Sequence, residues 1–331
     1  MTERSIPDIL FLSWAPYCSR SDNIARELGG KSYMVYYEFL GSNYFTIWLK
    51  YLLQTIKSLY MLLKKRPNIV FVMSPPIFAC IPAWVYTRIV RKTGYIIDVH
   101  TGSILNPMWK KVMFVHRFFS GSAITNLVTN DYLLNIVSSW SAKALIVKDV
   151  PIIFGKSDKD AFTRIDCIDI VLVNTFAIDE PLDLFLEAVK ELPYKIAITG
   201  KIPNRYKKKL QQSPPNVTFT DYLSEDDYAK YLKRTKFVMT LTTKDNQMQR
   251  GVYEAIYNGI PAITSNHKFL RETFYKGVLF VNNEADDIME GIIIAMKNYG
   301  KLSKEAKELK KEKLEEWRQT KIKLLNLVSH T

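Results

Sequence analysis

DNQMQRGVYEAIYNGIPAITSN, residues 245–266, is preceded by FVMTLTT and closes on AITS, two runs whose β-branched and aromatic residues read as buried strands. One helix is expected between them, beginning between Met248 and Val252 and stopping near Asn258-Gly259. Glycine accepts the left-handed conformation that closes a helix, and Pro261 cannot prolong it. The free N–H groups and dipole at the start of such a helix favour a diphosphate, Gly251 lets backbone approach a ligand closely, and Arg250 supplies a charge-assisted bond. Glu254 follows about one turn in, where its carboxylate can accept hydrogen bonds from both hydroxyls of a ribose. These properties describe a nucleotide-sugar site.

Moving toward the N-terminus, KFVMTLTT ends in Thr242 and Thr243, hydroxyls placed to bond phosphate or sugar. KIAITGK is a strand ending at Gly200, where backbone can approach a nucleotide, with Lys201 beside it as a cation for the diphosphate. DIVLVNTF begins this α/β half, and AIDEPLDLFLEAVKEL is its first helix, with Asp179 near the N-cap and Pro181 near the first helical position. Toward the C-terminus, VLFVNN reads as a last strand, residues 286–299 as a helix with an acidic first turn, and residues 302–328 as a long, charged, amphipathic helix.

The N-terminal half repeats the pattern. ILFLS is a first strand, followed by the polar turn and helix of WAPYCSRSDNIARELGG; SYMVYYEF, NIVFVMS, GYIIDVH, NLVTN and KALIVKD supply further strands. Residues 44–66 form a helix whose apolar residues cover more than one stripe, with Lys50, Lys57, Lys64, Lys65 and Arg66 on the remainder, a composition that suits contact with an anionic membrane surface as well as packing on a sheet. Residues 69–90 are apolar enough to raise a membrane span, but Pro75-Pro76 and Pro82 divide them into strand, turn and helix. His100 stands at the carboxyl end of its strand, where open parallel sheets bind ligands. His116, His267 and His330 read as structural. The expected organisation is an N-terminal Rossmann-like domain over 1–150, a linker over 151–165, a second Rossmann-like domain over 166–300, and a C-terminal helix over 301–331 returning to the first domain.

The run YEAIYNGIPAITSN resembles the pattern of retaining GT-B glycosyltransferases of family 4, in which Glu-Ala is followed by a Gly-x-Pro turn and a strand. The resemblance implies two Rossmann-like domains facing across a cleft and a nucleotide-sugar donor, UDP- or GDP-linked, with no metal required. It implies that Glu254 holds the ribose, that His100 touches the donor sugar, and that Arg20, Ser21 and Asn23 in the loop after the first strand serve the acceptor. The family's second glutamate, eight residues upstream of Glu254, is Asn246 in this chain. Where the family places an Arg and a Lys after the first strand of the second domain, this chain has Ile178-Asp179-Glu180-Pro181. These departures raise a second reading, a non-catalytic GT-B subunit that activates a partner.

At 331 residues the chain is long enough for two cores, and 47% hydrophobic with 24% charged residues excludes a disordered chain. The formal charge of +13 is uneven: residues 1–150 hold 17 Lys and Arg against 8 Asp and Glu. That field suits a glycan or lipid-linked diphosphate acceptor or an anionic membrane; no nucleic-acid motif accompanies it, so no nucleic-acid partner is expected. Cys18, Cys80 and Cys167 lack metal-type spacing and read as reduced thiols, and the N-terminus fits no signal peptide, so a cytoplasmic setting is expected. Asp158-Lys159-Asp160 has the spacing metal-dependent transferases use, but as a three-residue match in a linker it reads as a solvated charge cluster.

Overall fold

The computed structural model describes residues 8–41, 44–154, 167–206 and 213–329. Asp158, Asp160 and His330 lie outside the described residues. The chain divides into one unit of residues 1–150 with 317–331, and a second of residues 151–316.

In the first unit six parallel strands, β1 (Ile9–Ser13), β2 (Lys31–Met34), β3 (Ile69–Ser74), β4 (Gly94–Val99), β5 (Asn126–Val128) and β6 (Ala144–Ile146), form a sheet in the order β2-β1-β3-β4-β5-β6. The helices are α1 (Ser19–Glu27), α2 (Tyr44–Lys65), α3 (Cys80–Ile89), α4 (Thr101–Leu105), α5 (Pro107–Lys110), α6 (Met113–Ser122) and α7 (Asp131–Ser138). β1, β3 and β4 are buried along their whole length, as required of parallel strands with helices on both faces. Side-chain alternation sorts the core: Leu10, Leu12, Val70, Val72 and Ile97 pack under α2, α3, α6 and α7. Ile9, Phe11, Ile69, Phe71 and Ile96 point to the other face, against Ile24 of α1 and Trp317, Leu324 and Val328. Pro82 sits in the first turn of α3, where a missing N–H breaks no bond.

The second unit holds β7 (Ile168–Leu172), α8 (Leu182–Val189), β8 (Ile196–Thr199), β9 (Val217–Asp221), α9 (Glu225–Lys233), β10 (Thr235–Thr240), α10 (Arg250–Tyr257), β11 (Ala262–Ser265), α11 (Lys268–Thr273), β12 (Val278–Val281) and α12 (Ala285–Lys297). Its strands are parallel in the order β9-β8-β7-β10-β11-β12. From the neighbours β7 and β10 the chain winds outward in opposite directions, so the carboxyl ends of these two strands form a topological switch point, the place where open α/β sheets bind ligands. The last helix, α13 (Tyr299–Ser329), buries Ala306 and Leu309 in the second unit and ends in the first. No helix among the described residues is long and apolar enough to cross a membrane.

Candidate active site

The two loops of the switch point are tied together by one carboxylate. Asp179, in the loop after β7, accepts from Thr242 Oγ1 at 3.1 Å, Lys244 Nζ at 2.8 Å and Gln247 Nε2 at 3.2 Å, all in the loop after β10. Its backbone carbonyl accepts from Thr243 N at 2.8 Å. Burial pushes the Asp179 carboxyl up, but the bonds from Lys244 and Thr242 hold it below its ordinary value, so it stays charged. Asp179 therefore stands two residues before the Pro181 N-cap of α8 instead of capping that helix. Thr242 is wholly buried, and its oxygens serve Asp179, His267 and Asn283. It braces the loop, whereas the sequence placed its hydroxyl on a ligand; Thr243 is exposed.

Beside it, the carboxylate of Glu180 accepts from Thr175 N at 2.8 Å, Thr175 Oγ1 at 2.9 Å and Ala177 N at 3.0 Å. These amides of the β7 turn are thus saturated by an internal anion. On the β10 side, α10 begins at Arg250 with no side-chain cap and ends at Tyr257, followed by Asn258 and by Gly259, whose φ of 74° is the left-handed stop. Asn246 adopts the same region at φ 58°, which asparagine tolerates better than most residues. Glu254 is 8% exposed; Arg250 Nε donates to its Oε1 at 2.8 Å and Tyr228 OH to its Oε2 at 2.6 Å. Burial, then the Glu254 charge, raises the Tyr228 phenol well above its ordinary value, so it remains the donor.

The two glycines carry a different burden from the one their sequence position suggested. A Cβ on Gly200, where φ is 112°, would lie 2.0 Å from the Asn174 carbonyl oxygen, so this glycine lets the end of β8 pass the β7 turn. Lys201 beside it is exposed. A Cβ on Gly251 would lie 2.6 Å from Thr240 Cγ2 and 3.1 Å from Val173 Cβ, so Gly251 seats α10 against the sheet rather than against a ligand. Gly251→Ala is therefore expected to cost about 1–3 kcal/mol through overpacking; an unchanged thermal midpoint would show that the helix shifts freely.

In the first unit, His100 follows β4 as the N-cap of α4 and donates its backbone N–H to the Ser74 carbonyl at 2.9 Å. Its Nε2 lies 3.2 Å from Oδ2 of Asp98, which is fully buried, and Arg20 Nε donates to both Asp98 oxygens at 3.1 and 3.2 Å. Arg20 also donates to the carbonyls of Val147 at 2.8 Å and Lys148 at 3.0 Å. The Ser21 hydroxyl donates to Cys18 Sγ at 3.2 Å and accepts from Ser13 at 2.9 Å. Burial lowers the affinity of His100 for a proton, but the hydrogen bond and charge of Asp98 outweigh it and raise its pKa to about 9. Burial pushes the Cys18 thiol up, but His100 more than offsets this and lowers it. Arg20 and Ser21, expected to meet an acceptor, are enclosed and hold the wall behind His100; Asn23 is half-buried.

Residues 158–314 match the family model of group 1 glycosyl transferases. Over this stretch the chain is a group 1 glycosyltransferase, and as a whole it has the GT-B fold. Its fold is similar to that of sucrose-phosphate synthase from Thermosynechococcus elongatus, with a TM-score of 0.73 at 12% identity over 97% of this chain and 98% of that one. Anabaena Alr3699/HepE in complex with UDP and glucose gives 0.65 at 12% identity over 92% and 94%. A putative UDP-N-acetylglucosamine 2-epimerase from Listeria monocytogenes gives 0.62 at 12% identity over 91% of each chain. Among curated protein sequences no match is found. In this glycosyltransferase the structure brings Arg250, Gly251 and Glu254 together on α10, with Asn246, Thr242 and Thr243 in the loop before it; Gly200 and Lys201 follow the separate strand β8. Asp98 and Tyr228 were passed over by the sequence reading, which took Asp179 for the helix start and Asp179-Glu180 for a departure from the family pattern; the structure shows both bracing the switch-point loops. The Asp98-x-His100 spacing was a usable signal, since an acid inside the buried run GYIIDV demands a cationic partner.

Proposed function

We propose that this glycosyltransferase moves a sugar from a UDP- or GDP-linked donor to a hydroxyl of a glycan or lipid-linked glycan acceptor, with retention at the anomeric carbon, in assembly of a surface polysaccharide or glycolipid in the cytoplasm. The observation that carries the donor reading is Glu254, a carboxylate fixed by Arg250 and Tyr228 one turn inside the helix that starts at the switch point. A ribose hydrogen-bonded to Glu254 lays the diphosphate toward the N-terminus of α10. Because Glu180 occupies the amides of the β7 turn, the charge on the diphosphate falls to the helix dipole, Arg250 and Lys244, and no metal is assigned. The acceptor oxygen bonds to the anomeric carbon as the carbon–phosphate-oxygen bond breaks, and the acceptor proton passes to the departing phosphate on the same face. Stabilising that departing charge is the largest catalytic effect expected. His100, cationic at neutral pH, is assigned to the donor sugar.

Thermal shift with UDP, GDP and ADP tests the donor reading. One nucleotide at about a hundredfold over its Kd stabilises the protein by ~2.7 kcal/mol, and Glu254→Ala loses that shift. No shift with any nucleotide would sink the donor assignment.

A further inference from the structure

Helix α2 is turned inside out. Its inward row is Lys50, Gln54, Ser58 and Leu62, spaced four apart and all at most 3% exposed. The polar members are there for the loops: Lys50 Nζ donates to the Gly41 carbonyl at 2.9 Å and lies 3.8 Å from the Tyr36 ring centre, Gln54 Nε2 donates to the Val35 carbonyl, and the Ser58 hydroxyl accepts from Trp14 Nε1 at 3.0 Å. The outward face carries Trp48, Leu49, Leu52, Ile56, Tyr60 and Leu63, each exposed. A surface helix ordinarily buries such a stripe, so this one lacks its cover.

The surface continues beyond α2. Helices α2, α3 and α6 stack on one sheet face, and ring contacts link Trp48 to Phe78 at 6.0 Å and Trp84 to Phe118 at 5.7 Å. Outward on α6 stand Phe114 and Phe118, and on α3 Ile89. The charge in this region has one sign. Residues 39–130 contain 11 Lys and Arg and a single acid, Asp98, which is fully buried against Arg20. Lys57 and Lys64 are exposed at the edge of the apolar face of α2, and Arg117 is exposed on α6. Apolar side chains that enter the acyl boundary, rimmed by cations and with no carboxylate on α2, α3 or α6, complement anionic headgroups; α2 is not apolar enough to cross the bilayer.

We propose that the outer face of the α2, α3 and α6 layer docks on the surface of an anionic lipid bilayer, with α2 lying in the interface. This proposal stands independently of the donor reading, because no residue of the nucleotide site takes part.

The test is sedimentation of the full-length protein with vesicles of equimolar phosphatidylglycerol and phosphatidylcholine, and with vesicles of phosphatidylcholine alone. Binding is expected to the first, to be weaker to the second, and to fall with added salt. Leu52→Glu with Ile56→Glu should weaken it more than about tenfold, since two side chains lose their transfer from water. Lys57→Glu with Lys64→Glu should remove the preference for the anionic vesicle while leaving the apolar face intact. Wild-type protein remaining in the supernatant, or the Leu52/Ile56 variant binding as well as wild type, would overturn the proposal. So would a concentration-dependent dimer that the same variant abolishes, which would make a second copy the occupant of this face. UDP thermal shift on the same preparations reads the donor site separately.

Discussion

Arg20→Met is expected to destabilise the first unit by about 3–5 kcal/mol, because it leaves Asp98 charged, fully buried and without its main partner. The methionine keeps the stem of the side chain, so the loss reports the charge and not a cavity. Asp98→Asn in the Arg20→Met background should recover part of it, since the cost lies in the uncompensated carboxylate and not in the absent contact. All six tryptophans, Trp14, Trp48, Trp84, Trp109, Trp140 and Trp317, belong to the first unit, so fluorescence-detected urea unfolding follows that unit alone. A lowered midpoint at unchanged slope is the expected result; a midpoint within about 0.5 kcal/mol of wild type would show that water or His100 replaces Arg20.

The same cluster sets a pH window for stability. Burial alone would raise the Asp98 carboxyl, but the Arg20 charge and the His100 bond hold it at about 2, below its ordinary 3.8. Its contribution is present above about pH 4 and is lost as pH falls through 2. His100 is held at about 9, above its ordinary 6.5, so its contribution is complete below 6.5 and is lost as pH rises through 9. Arg20→Met should blunt the acid limb.

Elements came through the sequence where long apolar runs met glycine or proline. β1 covers Ile9–Ser13 and α2 covers Tyr44–Lys65, within a residue of the expected spans. The second strand was read too long: β2 stops at Met34 because pairing with β1 ends once Val35 N has bonded Ser13 O, and the chain turns into a short helix at Glu38. The local chemistry of α10 was also readable, since Arg250 and Glu254 are one turn apart. What escaped depends on partners distant in sequence. Arg20 and Asp98 are 78 residues apart, and Asp179 and Thr242 are 63 apart, so no motif unites them until the sheet order is known. The glycines failed for a related reason: Gly200 and Gly251 are small because of Asn174, Thr240 and Val173, which only the fold brings near. For α2 the apolar excess was plain, but its outward face was not, because Lys50, Gln54 and Ser58 are drawn inward by carbonyls and an indole in other segments.

His100→Gln is expected to lower kcat/KM for the nucleotide-sugar donor by about 10²–10³, the loss typical of a preorganised donor aimed at developing charge. Glutamine keeps a hydrogen-bond donor but carries no charge, so the size of the fall measures what the proton contributes. Asp98 acts through His100 as a positioning residue: its carboxylate sets the ring orientation and keeps the imidazole protonated through the neutral range. Wild-type activity should therefore stay level to an alkaline limb near pH 9 and decline above it. In Asp98→Asn the attraction is gone while the burial that disfavours imidazolium remains, so the limb should move to lower pH, below the wild-type position. Arg20 keeps the carbonyls of Val147 and Lys148 in that variant, which limits the loss of stability and leaves the pH profile measurable. An alkaline limb that does not move in Asp98→Asn, or a His100→Gln enzyme within twofold of wild type, would remove His100 from the reaction. The cationic cluster would then be a device for holding β1, β4 and α1 together.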